Sequence, residues 1–312
     1  MAEASRPGWE NAPVLDVFGQ VVAPVFVVAL VGLLVGARYD LDVRPLVVLT
    51  FRVLMPALVY QALVDLSLDR GLVLRVGAVA LIVHLTTLAL ALGWGRVRRL
   101  DRRSAAAVGL ASMMANSGNL GLPVALLAFG DRGLELAVVN MVVGATLYAT
   151  VGTVVASGSA GSVGASLRAP LRTPMLWALL AALIVNWRGW VLPVVVATPV
   201  RSISTAAIPV ALMVLGLQLR GVRLGEGWSE VTAAGVIRLL LGPLIAWGAA
   251  GLLGLGPMAS DVLIVVSAMP TAVSATIWAA EFDDRPELVS TAVLGTSVAS
   301  LLSLTVLLAV LT

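Results

Sequence analysis

The sequence predicts an all-α polytopic membrane protein. Ten transmembrane helices form two inverted five-helix repeats, with helices 4 and 9 broken. Three observations lead there. The chain is 60% hydrophobic and 12% charged, with a mean hydropathy of +1.03, whereas soluble domains carry roughly a quarter charged residues. Its charges divide it into ten apolar runs of near-spanning length. Several features of the first half recur 153 residues later.

The runs give the elements in order. Span 1 covers 17–37, between Asp16 and Arg38. Span 2 covers 53–64, extended by Pro45 to Thr50 across Arg52. Span 3 (76–95) lies between Arg75 and Arg96, and span 4 (104–129) between Arg103 and Asp131. Span 5 (136–157) ends in a segment rich in Gly, Ser and Ala. Span 6 (173–187) is short, stopped by Arg188 and Gly189. Span 7 is 202–219. Span 8 is read from 239–260, a run that absorbs the turn Gly254 to Pro257. Span 9 is 262–280 and span 10 is 288–312. The chain divides into a polar tail 1–13, a first repeat 14–157, a linker 158–173 and a second repeat 174–312. The tail lacks the basic start and short apolar core of a cleavable signal, so span 1 is expected to be retained.

Arginine sets the orientation, because short inner loops are enriched in basic residues. With the N-terminus outside, the inner loops hold 12 arginines and the outer segments 6. The cluster RVRRLDRR (96–103) is the strongest anchor. Both termini are therefore expected outside, in the cell (inner) membrane. The offset of 153 carries Pro56 onto Pro209, Trp94-Gly95 onto Trp247-Gly248, and Asp131-Arg132 onto Asp284-Arg285. Five spans per copy is an odd number, so the second copy is inverted.

Span 4 contains NSGNLGLP (116–123) at membrane depth. Pro123 has no N–H and its ring crowds the preceding turn, so the carbonyl of Asn119 loses its helical partner. Gly118 and Gly121 lower the barrier to unwinding. Span 9 carries Pro270 in its middle, followed by Thr271 and Ser274. Broken backbone survives at this depth only where protein buries it or a cavity meets it, and paired broken helices in two repeats are the plan of secondary transporters. Asn116, Gly118, Asn119, Pro123, Pro270, Thr271 and Ser274 are the candidate substrate-binding residues. The asparagines either contact substrate or tie up the broken backbone. Half-helix N-termini would attract an anion without a buried basic side chain.

Four further residues are candidates for ion coupling or for a vestibule. Arg52 and Arg238 lie inside spans, either lining an anion-attracting inner vestibule or snorkelling to lipid phosphates. His84 is the sole histidine. It is either a hydrogen-bonded core residue or a proton relay. Asp65 is either a solvated helix end or a proton or sodium acceptor. The absence of cysteine removes disulfides and thiolate ligands. The Gly-rich segments 158–164 and 225–227 lack the Lys-Ser/Thr of a phosphate loop. No metal cluster, nucleic-acid site or enzyme motif emerges, and no cofactor is expected. Proton and sodium coupling both remain open.

At NSGNLGLP, SAMPTAV (267–273), FRVLMPALVY (51–60) and IPVALMVLGLQL (208–219) the chain resembles the auxin efflux carrier family, whose bacterial members are often labelled organic-acid transporters. The resemblance spans essentially the whole chain. It implies a fold shared with sodium/proton antiporters and bile-acid symporters. Spans 1, 2, 6 and 7 would form a scaffold, the others a transport domain, and spans 4 and 9 would cross at their breaks. It also implies an organic anion bound at the crossing, a homodimer, and alternating access. A channel or a membrane sensor with a vestigial site are the alternative functions. Ser274 departs from the family, which often has asparagine there.

Overall fold

The computed structural model describes residues 14–39, 41–64, 69–157, 168–222 and 225–311. The tail 1–13, Asp65 and linker residues 158–167 lie outside them. Among the described residues the regular structure is helical, apart from one isolated β-bridge. In chain order the helices are α1 (Val14–Arg38), α2 (Arg44–Val64), α3 (Arg70–Val97), α4 (Arg102–Met113), α5 (residues 117–129) and α6 (residues 131–157). There follow α7 (Pro174–Arg188), α8 (Val194–Arg220), α9 (Trp228–Leu252), α10 (Pro257–Ser267), α11 (Ser274–Glu281) and α12 (Pro286–Leu311). Among the described residues seven helical stretches are long and apolar enough to cross a membrane. The longest, Ser117–Ser157, is split into α5 and α6 at Gly130, whose φ of 67° breaks the helical path.

Several helices outrun the charge-free runs that predicted them. α3 begins at Arg70, capped by Asp69, whose carboxylate accepts from the Gly71 amide at 2.9 Å. Arg75 is accommodated because it donates to the carbonyls of Gly71 and Gly254. α2 runs unbroken through Arg52, which is exposed. Span 8 is the largest boundary correction. α9 starts at Trp228 and ends at Leu252, and α10 starts afresh at Pro257. Arg238 is thus embedded mid-helix, because its charge is satisfied internally and does not need a helix end.

Two groups of helices result. α1 packs on α8, and α2 on α7 and α8. In lipid no hydrophobic gain separates one apolar surface from another, so helices associate where small residues let backbones approach. Gly32 and Gly216 provide this at the α1–α8 contact. A Cβ on Gly32 would run into the Met213 carbonyl, and one on Gly216 into the carbonyl of Ala29. Asn186 of α7 donates to the Val64 carbonyl at the end of α2, at 2.9 Å. In the second group α3 packs on α4 and α9, α9 on α10, and α12 on α4, α9 and α11.

One end of this group is tied by charge. Asp101 caps α4, accepting from the Ser104 amide at 3.0 Å and hydroxyl at 2.8 Å. Those bonds hold its carboxyl below the usual carboxylate range. Arg102 reaches the buried Asp284 at 2.9 Å, and Arg103 reaches Asp283 at 2.8 Å. Burial pushes the Asp284 carboxyl up, with Arg102 opposing.

Candidate functional site

α4 stops at Met113 because Met114 turns to an extended conformation (φ −83°, ψ 93°). Asn116 (φ −77°, ψ 54°) completes the interruption before α5 begins. α10 stops at Ser267. The two interruptions meet. The Asn116 amide donates to the Pro270 carbonyl at 2.8 Å, and the Ala272 amide to the Met114 carbonyl at 2.8 Å. Ala115 and Thr271 form the isolated antiparallel bridge. Each broken helix thereby satisfies backbone groups freed in the other, as burial away from water requires.

The break in span 4 lies upstream of the place predicted for it. Pro123 sits one turn inside α5, and its missing N–H coincides with a wide turn over Ser117–Gly121, where the Leu122 amide reaches back to the Ser117 carbonyl. The extended segment before that turn is held by its partner across the crossing, which no local propensity encodes.

Side chains brace the crossing from several helices. Thr271 is fully buried. Its hydroxyl donates to the Ala111 carbonyl at 2.8 Å and its amide to the Thr296 hydroxyl at 3.0 Å. The Ala115 amide donates to the Tyr148 hydroxyl at 2.9 Å. His84 is buried, with Nδ1 3.1 Å from the Met113 carbonyl and its ring edge-on to Tyr148. A carbonyl only accepts, so Nδ1 carries the proton.

Arg238 is 0% exposed. It donates to the carbonyls of Ser112 (3.0 Å) and Met113 (3.4 Å), and to that of Ser267. It therefore neither snorkels nor lines a vestibule, correcting both sequence readings. Arg52, the other in-span arginine, is exposed.

Beside the crossing lies a cavity of about 260 Å³. Asn116, Ser117, Gly118 and Asn119 line it from the start of α5, and Ser274 from the start of α11. Tyr148 of α6, and Val47, Phe51 and Gln218 of the α1–α2–α7–α8 group, close it. Among the described residues no charged side chain borders it. The first amides of a helix lack intrahelical acceptors, and those of Ser117, Gly118 and Asn119 find no backbone acceptor among the described residues. Three buried side-chain atoms at its wall also find no partner among the described residues: Asn116 Nδ2, Asn119 Oδ1 and Gln218 Oε1.

A second cavity, of about 590 Å³, shares Val47, Gln218, Val273 and Ile277 with the first. It extends to Arg44, Gly221 and Ser290, toward the ends of α2, α8 and α12 on the Arg102–Asp284 side.

The structure thus brings Asn116, Gly118, Asn119 and Ser274 together at one cavity. It places Pro270, Thr271 and Pro123 behind it, in the backbone of the interrupted helices. Gln218 and Tyr148 were not singled out from the sequence. Gln218 lay within the quoted stretch IPVALMVLGLQL, as a lone amide in an uncharged span. Only packing reveals that it faces the crossing.

The sequence matches the membrane transport protein family twice, over residues 17–173 and 162–308. The chain belongs to that family, the family of the auxin efflux carriers. This transporter is 30% identical over 291 residues to an uncharacterized transporter of Methanothermobacter thermautotrophicus, covering 91% of the chain and 95% of the relative. It is 25% identical over 199 residues to an uncharacterized transporter of Methanocaldococcus jannaschii, covering 62% of the chain and 64% of the relative. Both relatives are archaeal, whereas the sequence resemblance pointed to bacterial members. Family membership and the apolar helices make the chain a multi-pass membrane protein of transport.

Proposed function

We propose that this transporter is a secondary carrier moving a small organic anion, a carboxylate, by alternating access. One observation carries the proposal. Among the described residues, the cavity at the crossing gathers the N-termini of α5 and α11 and unpartnered buried polar atoms, with no charged side chain on its wall. Each helix N-terminus carries roughly half a positive charge together with exposed N–H donors. Two of them suit one carboxylate. The Asn116 side-chain nitrogen then adds a donor that would otherwise be left without a partner, at a cost on the order of 1–3 kcal/mol.

Taking α4 with α5, and α10 with α11, as single spans gives ten. The inverted repeat is supported by its offset. Gly130 (φ 67°) and Asp283 (φ 56°), both with positive φ, stand 153 residues apart, each within two residues of the end of the second half of a broken span. The two family matches support halves at 14–157 and 174–312. α1, α2, α7 and α8 then form the scaffold, against which the remaining helices carry the site across. The second cavity fits an inward-open state, its mouth on the arginine-rich side and both termini outside.

Proteoliposome flux of radiolabelled malonate, malate and indole acetate tests this. At least one should show saturable uptake and counterflow, which a channel would not give. Asn119→Ala should abolish that flux with expression and monodispersity intact. Unchanged flux in the variant would remove the site from this cavity.

A further inference from the structure

The interrupted helices present their N-termini to the cavity, but their first halves end there too. The C-terminus of α4 (Ser112, Met113) and that of α10 (Ser267) converge on a single side chain, the Arg238 guanidinium. Each helix C-terminus carries roughly half a negative charge. Two of them together balance about one positive charge. Arg238 is fully buried, and among the described residues it has no carboxylate partner. A buried cation without a counter-charge is strongly unfavourable. Here the two helix ends are the counter-charge.

The surrounding backbone is shaped for this group. Gly242, one turn beyond Arg238 on α9, would place a Cβ 2.7 Å from the Ser267 carbonyl and 3.1 Å from the guanidinium. A side chain at 242 would fill the space in which the two meet. His84 presents its own N–H to the same Met113 carbonyl from the opposite helix, α3. Carbonyl oxygens gathered from two helix ends are also the kind of ligand set a hard cation takes.

We propose that Arg238 is a resident cation. It permanently fills a cation site formed by the C-terminal carbonyls of α4 and α10 and holds the two broken helices in register. It cancels their negative ends, so the positive N-termini alone face the cavity. Arg238 is not among the described residues that line the crossing cavity, so it is a positioning residue. This inference needs neither the substrate nor the transport cycle.

The test is thermal unfolding of the full chain in detergent, as wild type, Arg238→Lys and Arg238→Gln. Each is measured in choline chloride and again with part of the choline replaced by sodium or guanidinium, at constant ionic strength. Wild type and R238K should be indifferent to the exchange. R238Q should unfold several degrees lower and recover part of that loss in guanidinium or sodium. If R238Q matches wild type, or is destabilised and unmoved by both ions, the proposal is overturned. Should R238Q not purify folded, R238K decides. A monodisperse protein near wild-type stability supports the resident charge, and an aggregated one overturns it. No flux enters these measurements, so they stand or fall apart from the transport reading.

Discussion

The proposed site depends on buried amides that lack partners among the described residues. Gln218 holds Oε1 among apolar neighbours on the scaffold side of the cavity with nothing to accept from. An unsatisfied buried group of this kind costs on the order of 1–3 kcal/mol, and an apolar replacement of similar shape recovers it. Gln218→Leu should therefore raise the unfolding temperature while lowering carboxylate flux at least tenfold. A fall in stability would instead mean that the amide serves the scaffold. His84 differs, because its Nδ1 proton is engaged by the Met113 carbonyl. Its other nitrogen lies where a Cβ on Gly144 would approach to 2.9 Å. Gly144→Ala should disturb this brace of the crossing and lower the unfolding temperature, read by the same thermal assay.

Among the helices, the α1–α8 contact and the cap of α4 have separable energetics. Gly216 approaches α1 so closely that a methyl group would meet the backbone at Ala29 and Leu33. Backbone cannot yield as a side-chain tip can. Gly216→Ala should cost about 1–3 kcal/mol, the range for overpacking, and appear as a lowered unfolding temperature. The α4 cap is milder. Asp101→Ala removes the acceptor for the Ser104 amide and should cost about 1 kcal/mol. The Asp101 carboxyl titrates below its ordinary value of 3.8 because Ser104 donates to the ionised form. The bound form thus favours the deprotonated acid. Its contribution is full above that ordinary value and disappears as the pH falls through the depressed one. Asp101→Asn should flatten that acid limb, as followed by unfolding at graded low pH.

At the scale of the whole molecule, alternating access needs the crossing to move against the scaffold. Val47 of α2 and Ile277 of α11 border both cavities from opposite sides. The chain contains no cysteine, so a Val47→Cys, Ile277→Cys pair can be bridged cleanly by a bifunctional maleimide. Bridging should stop flux. The same treatment of a Gly36→Cys, Leu217→Cys pair, both within the α1–α8 contact, should leave it running. Equal inhibition by both bridges would mean that the two helix groups do not move relative to one another.

The sequence by itself determined the solvent and the outline. Scarce charge and long apolar runs admit only helices in lipid, because every backbone group must be satisfied within its own segment. Asn116 and the proline at 270 also marked the two segments where that rule is broken, although the break in span 4 falls just upstream of the glycines that pointed to it. What the runs could not fix were helix ends such as Arg70 and Trp228, since a charge inside a helix is acceptable once a distant carbonyl receives it. Nor could they fix the site's inner wiring. Whether Thr271 faces substrate or the Ala111 carbonyl, and whether Arg238 reaches for lipid or for two helix ends, depends on which segments lie opposite. Partners such as Arg238 and Ser112 are 126 residues apart in the chain, and only packing in three dimensions brings their charges and dipoles within reach.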